Sequence, residues 1–245
     1  MEPMAEAAAF NSTLAEVDAD QLTACSGWRA HELVAHLAAG SAAIVQNVQA
    51  FNAGGIDNVP PTAGLDEREL PYREMAFDAL CARLGESHEE MMSAIGVALS
   101  ADPAAITPWA GRQMPIGAFV THARSEYALH RWDLVGDDET GNELLAQPEL
   151  TDHAVQALGE VLTGRGVAGG AEGAVRLSCE GRPDISVGVG GVVYAEPNSD
   201  DDAVAGDAAA RLLLLWGRSP NQPGRLRAPG GLAQLVALKN LLAGY

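Results

Sequence analysis

The sequence predicts an α plus α/β-type chain of two domains, a helical N-terminal one followed by a small mixed α+β one. From Asn11 to about Thr163, apolar residues recur every three or four positions, the period of helices packed by one face. Five glycines then fall within the ten positions 164–173. There the period lapses and a domain boundary is expected. Beyond it, short stretches alternate apolar and polar as half-buried strands do. A length of 245 residues suffices for two cores, and the expected bounds are 1–165 and 172–245.

Four main helices are expected in the first domain. Ser26 is a good N-cap for a helix running through Trp28, Leu33, Val34 and Leu37 toward Val48. The Gly54-Gly55 and Pro60-Pro61 pairs then make a long loop, where a helical bundle can place a lid over substrate. An amphipathic stretch from Tyr72 to about Leu99 ends at the Asp102-Pro103 turn signal. Pro115 suits the first turn of a third helix, through Ile116, Phe119, Ala123, Tyr127 and His130 to Leu134. A fourth starts near Glu149, capped by Thr151 or Pro148, and reaches about Leu162.

In the second domain, Ala174 to Cys179, Ile185 to Val189 and Val192 to Ala195 read as strands, with a hairpin turn at Gly190-Gly191. An acidic loop at Asp200-Asp201-Asp202 leads to a further strand, Ala203 to Gly206. Asp207 then caps a helix carrying Leu212 to Trp216, which Gly217 ends. Leu232 to Leu242 forms a last amphipathic helix.

The balance of charge excludes several partners. Lys plus Arg number 15 against 33 Asp plus Glu, for a formal net charge of -18. A nucleic-acid backbone or an anionic membrane surface is repelled on average. No run of 18 residues is apolar enough to span a membrane, and the acidic start Met1-Glu2-Pro3 is unlike a secretory signal, so a cytoplasmic location is expected. Cys25, Cys81 and Cys179 are odd in number and far apart, which argues against a disulfide framework or a Cys-based zinc site. They are read as small buried apolar residues.

Chemistry concentrates in the segment from Thr121 to Asp133. Glu126 and His130 are four apart and project from one helix face. A carboxylate and an imidazole so placed suit a divalent metal, zinc above all, whose catalytic sites use three protein ligands and keep a position open. The third ligand has to come from another helix, and His36 is the candidate. By spacing alone two readings stay open: a metal site, or a solvated Glu-His pair plus a hydrogen-bonded core histidine. His122 shares the face of Glu126 and is either a fourth ligand, a nearby base or a solvated side chain. Trp132 is read as core. His31, His88 and His153 are read as surface residues.

Two segments go further. Cys25-Ser26-Gly27-Trp28 with Leu33-Val34-Ala35-His36-Leu37, and Glu126-Tyr127-Ala128-Leu129-His130-Arg131-Trp132-Asp133, resemble the two motifs of the mycothiol-dependent maleylpyruvate isomerase family. Val204 to Ala209, with Leu215-Trp216-Gly217-Arg218, resembles that family's C-terminal motif. The resemblance spans the chain. It implies a DinB-like metal-binding four-helix bundle joined to a small sterol-carrier-like α+β domain. It also implies that His36, Glu126 and His130 bind zinc or another divalent cation with a water in the open position, and that mycothiol, a low-molecular-weight thiol, is the cosubstrate. Such a cation stabilises a thiolate near neutral pH, able to attack an electrophilic carbon.

Arg218 is a candidate catalytic residue, clamping a substrate carboxylate; the alternative is a helix-end arginine satisfying terminal carbonyls. Asp133 is a candidate acceptor for a ligand imidazole. The expected function is that of a metal-dependent, thiol-using cis-trans isomerase or S-transferase acting on a small electrophilic molecule, as a monomer or homodimer. The alternatives are a thiol-free biosynthetic enzyme catalysing cyclisation or hydrolysis, and a non-catalytic binder of an apolar ligand.

Overall fold

A computed structural model describes residues 4–61, 63–196 and 203–242. The chain is mostly helical with a small sheet region and divides into two compact units, Met1–Val135 and Gly136–Tyr245.

The first unit contains α1 (Ala5–Leu14), α2 (Ala30–Gly54), α3 (Leu65–Arg73), α4 (Phe77–Ala101), the hairpin strands β1 (Ile106–Trp109) and β2 (Arg112–Pro115), and α5 (Ala118–Val135). The long helix α2 packs along α4, α1 packs on α5, and α3 lies on α2. Along α2, Ala30, Leu33, Val34, Leu37, Ser41, Ile44 and Val48 are buried, the i, i+3, i+4 stripe that the sequence displays. They meet Phe10, Leu80, Leu84 and Tyr127 toward one end. Toward the other they meet Met91, Ile95, Trp109 and Phe119. Each such side chain stabilises the fold by about 1.5–3 kcal/mol on burial.

Several expectations are corrected here. Ser26 does not cap α2; it lies in the turn that Trp28 N–H closes on the Cys25 carbonyl at 3.0 Å. The helix starts at Ala30, where Glu32 accepts from the Arg29 N–H at 2.9 Å, satisfying a donor that helical bonding leaves free. Pro115 ends β2 rather than opening α5. The expected lid region holds α3, a polar helix with Pro71 inside it.

The second unit contains α6 (Glu139–Leu145), α7 (Pro148–Asp152), a π-helical turn (His153–Ala157), α8 (Gly159–Ala168), strands β3 (Ala174–Ser178), β4 (Asp184–Gly188), β5 (Gly191–Ala195), β6 (Val204–Gly206) and β7 (Leu226–Arg227), and helices α9 (Ala208–Leu215) and α10 (Gly231–Leu241). The sheet order is β5-β4-β3-β6-β7, antiparallel except where β3 pairs with β6. Val175, Leu177, Ile185, Val187 and Val192 are buried, with Leu212, Leu213 and Leu215 of α9. Asp207 caps α9 as expected, accepting from the Ala210 N–H at 2.9 Å, and Gly217 follows the helix at φ 71°.

The expected fourth helix is broken at the π turn, and it belongs with the sheet, not with the helices before it. Correspondingly the division lies at Gly136, ahead of the glycine-rich run where the sequence suggested it. The acidic triplet Asp200-Asp201-Asp202 lies outside the described residues.

Candidate metal centre

α2 and α5 place three side chains on a common point. His36 Nε2 lies 3.2 Å from Glu126 Oε2, and His130 Nε2 lies 3.5 Å from the same oxygen. All three donor atoms fall within 4.8 Å of one another. The two imidazole rings meet edge to face, with centroids 5.2 Å apart. His130 is buried, while the His36 and Glu126 side chains keep 17% and 19% exposure, enough to leave a route for an incoming ligand.

The far nitrogen of each imidazole has its own carboxylate. His36 Nδ1 is 2.7 Å from Glu69 Oε1, and His130 Nδ1 is 2.8 Å from Asp133 Oδ2. Both carboxylates are buried. Each fixes its ring as the tautomer protonated on Nδ1 and turns Nε2 toward Glu126, the arrangement that orients histidine ligands in metal sites. Glu69 is held in turn by Arg73, one turn along α3. Asp133 also accepts from the Cys25 thiol, Sγ to Oδ2 3.2 Å, and its carbonyl accepts from the Ala24 N–H at 2.8 Å. The segment before α2 is thereby fastened to the end of α5.

Electrostatics follow from this packing. Burial acts to raise the Glu126 pKa, but the hydrogen bonds from His130 and His36 outweigh it and hold the carboxyl well below its ordinary range. Burial likewise acts to lower His130, yet Asp133, Cys25 and Glu126 together raise it well above 6.5. Glu69 is lowered, its desolvation overcome by His36 and Arg73.

The donor set fits a divalent cation. Two imidazoles and one carboxylate form a known catalytic zinc set, and metal–ligand bonds of about 2.0–2.1 Å in tetrahedral geometry put donors about 3.3 Å apart. The 3.2 and 3.5 Å separations bracket that value. Beside the set lies a cavity of about 50 Å³, lined on its polar side by His36, Glu126, His122 and Arg68 and on its apolar side by Ile44, Met91, Trp109 and Tyr127.

A family model, described as the mycothiol maleylpyruvate isomerase N-terminal domain, matches residues 2–135. The chain belongs to this family. Two crystal structures of the mycothiol-dependent maleylpyruvate isomerase, one of them a mutant, share the fold. They have TM-scores of 0.65 and 0.64 at 18% and 17% identity, each covering 92% of this chain and 89% of the other. A comparison with curated proteins gave no match.

As a member of the mycothiol maleylpyruvate isomerase family, the chain has the three expected donors together. His122 lines the cavity but stands outside the converging set among the described residues; burial lowers its pKa. Arg218 lies in the second unit, after α9, and donates from Nη1 to the Trp216 carbonyl at 2.8 Å, a helix-end contact. Trp132 is buried as expected. Of the histidines read as surface residues, His153 is buried, His31 is half-buried with Nε2 2.9 Å from the Met75 carbonyl, and His88 is half-buried beside Tyr127. The cysteines are half-buried, and Cys25 is a hydrogen-bond donor instead of apolar filler. Glu69 and Arg68 were missed by the sequence reading. An Asp66-to-Arg73 charge run looks like a solvated helix face, and nothing in it signals a buried carboxylate.

Proposed function

We propose that the chain is a divalent-metal-dependent, thiol-using cis-trans isomerase of the maleylpyruvate isomerase kind, with mycothiol as its thiol. One observation supports this most directly: the Nε2 atoms of His36 and His130 converge on the Glu126 carboxylate while Glu69 and Asp133 fix the opposite nitrogens. The family membership supplies the thiol and the reaction class. Under this reading His36, Glu126 and His130 hold zinc or a similar ion. When bound, the ion stabilises a thiolate whose reversible addition to a conjugated double bond lets that bond rotate before elimination.

The chain's own residues then have distinct tasks. His36 and His130 present lone pairs at Nε2 because their Nδ1 protons are committed to carboxylates. Glu126 contributes negative charge that offsets the cation. Trp109, Ile44 and Met91 give the cavity an apolar wall that excludes water from the reacting carbons. Arg218 is our proposed anchor for substrate anion in the second unit. The helices of the first unit and the mixed sheet of the second fit a DinB-like bundle and a sterol-carrier-like domain, respectively. Three converging donors, with His122 outside the set, favour an open catalytic site over a closed structural one.

Elemental analysis of the purified protein tests the metal, with near-stoichiometric zinc or a similar ion expected and its loss expected in His130→Ala. Isomerisation of maleylpyruvate assayed with and without mycothiol tests the thiol. Activity independent of thiol would sink the isomerase reading in favour of a thiol-free metal enzyme.

A further inference from the structure

The turn that leads into α2 closes on itself. Leu22 and Arg29 form an antiparallel bridge, and the Trp28 carbonyl accepts from the Thr23 N–H and the Thr23 hydroxyl, each at 3.1 Å. Gly27, at φ 81°, takes the left-handed conformation that the reversal needs. The Ala24 N–H and the Cys25 thiol fasten the turn to Asp133 of α5. The backbone of Trp28 is thereby tied to both helices that carry the ligands.

Its side chain lies against both histidines of the donor set. The indole centroid is 5.1 Å from the His36 ring at an interplanar angle of 47°, and 6.3 Å from the His130 ring at 26°. His36 comes from α2 and His130 from α5, so one indole spans the two sources of the set. The cavity is lined by His36 and Glu126 but not by Trp28, which leaves the indole outside the space open to a substrate. For packing at this half-buried position, against the cluster of Leu33 and Tyr127, an aliphatic side chain would serve. Two imidazoles facing one aromatic ring give the indole a further use.

Aromatic rings pair favourably at centroid separations of about 4.5–7 Å. An imidazole that coordinates a cation also acquires part of its positive charge, which the electron-rich face of an indole attracts. Stacking of this kind limits the rotation of rings whose Nε2 atoms turn toward Glu126, and it favours their metal-bound form.

We propose that Trp28 is a positioning residue of the metal centre: one indole, stacked on His36 and His130, holds both imidazoles in their ligating orientation and strengthens their grip on the cation. This rests on the function proposed above for the presence of the metal, and it makes the turn before α2 part of the centre.

Zinc affinity of the full chain, measured by competition with a chromogenic chelator, is expected to fall about tenfold in Trp28→Leu, and Trp28→Phe, which restores an aromatic face, is expected to recover most of the loss. Cobalt in place of zinc gives a second readout, because the visible absorption of bound Co2+ reports the geometry of its donors. That spectrum is expected to change in Trp28→Leu and to be kept in Trp28→Phe. A role in packing alone would lower the melting temperature of the metal-free chain and leave both metal readouts unmoved. If Trp28→Leu does not fold, Trp28→Met, also apolar and without an aromatic face, takes its place. The inference is overturned if the folded aliphatic variant binds zinc within twofold of the wild type, or if Trp28→Phe loses as much affinity as that variant does. The wild type alone decides the metal reading: no uptake of zinc or cobalt refutes that reading and this inference with it, whereas uptake that is indifferent to the indole refutes this inference only.

Discussion

Glu69→Gln isolates the support that α3 gives to the metal centre. The substitution keeps the size and an acceptor for His36 Nδ1 but removes the charge that fixes the tautomer and faces Arg73. Glu69 is fully buried, His36 keeps 17% exposure and Arg73 32%. Breaking a wholly buried pair costs about 3–5 kcal/mol, but Arg73 can turn into water, so the loss of stability is expected to fall below that range, at about 1–2 kcal/mol. The effect on the metal is separate. Carboxylates hydrogen-bonded to ligand imidazoles typically contribute about 10–100-fold to affinity, and His36 is one of three donors. Zinc affinity, measured by competition with a chromogenic chelator at pH 7.5, is expected to fall by about tenfold in Glu69→Gln and by more in Glu69→Ala. Circular dichroism establishes that the variants are folded. If folded Glu69→Ala binds zinc within twofold of the wild type, His36 needs no orienting partner and the proposed role of α3 is wrong.

Two further predictions concern stability. His88 is half-buried against Tyr127, with its Nδ1 lacking a partner; burial lowers its pKa, against a smaller opposing effect of Glu89. Since its unfolded value is about 6.5, the unfolded chain takes up the proton first as pH falls. The contribution of His88 is therefore full above that value and lost as pH drops through it toward the folded value. The gap in melting temperature between wild type and His88→Leu should shift in favour of the variant between pH 7.5 and 5.5, and a constant gap would refute the assignment. Gly166, in α8, is expected to tolerate no side chain: a Cβ there would overlap the carbonyl oxygens of Asn240 and Leu241 in α10. Gly166→Ala should destabilise the protein by about 3 kcal/mol in urea unfolding, at the upper end of overpacking costs, and a change under 0.5 kcal/mol, the ordinary surface range, would show that α10 moves aside freely.

Gly166 also bears on why the sequence suggests a boundary at the glycine-rich run while the compact units divide at Gly136. A glycine-rich run reads as a linker because glycine is enriched where chain is mobile. Gly159 and Gly166 are instead small because other backbone comes close, the Val192 carbonyl 2.8 Å from a Cβ at Gly159 and the end of α10 at Gly166. Only tertiary contacts distinguish the two uses of the residue. α2 and α4 were legible because each buries an apolar face, and β3 because its side chains alternate in burial, whereas α5 is buried on all sides from Tyr127 to Leu134. The hairpin of β1 and β2 is four residues a side, too short for a period to register, and α1 escaped because its buried face, Glu6, Ala7, Phe10 and Leu14, holds only two large apolar side chains.

The same distinction divides the metal centre. Asp133 orients His130 from three residues along the same helix, so one stretch of sequence contains ligand and support together. Glu69 orients His36 across thirty-three positions and from a different helix. Residues 65 to 73 read as Leu-Asp-Glu-Arg-Glu-Leu-Pro-Tyr-Arg, a pattern ordinarily left to solvent. α3 buries Glu69 where an amphipathic helix would bury a leucine, and the imidazole of His36 and the guanidinium of Arg73 make that burial tolerable. A helix docked by a buried carboxylate in place of an apolar stripe makes little sense as a stabilising element alone. It makes sense if its position is set by the centre it serves, with Glu69 turned to one ligand and Arg68 to the cavity beside it.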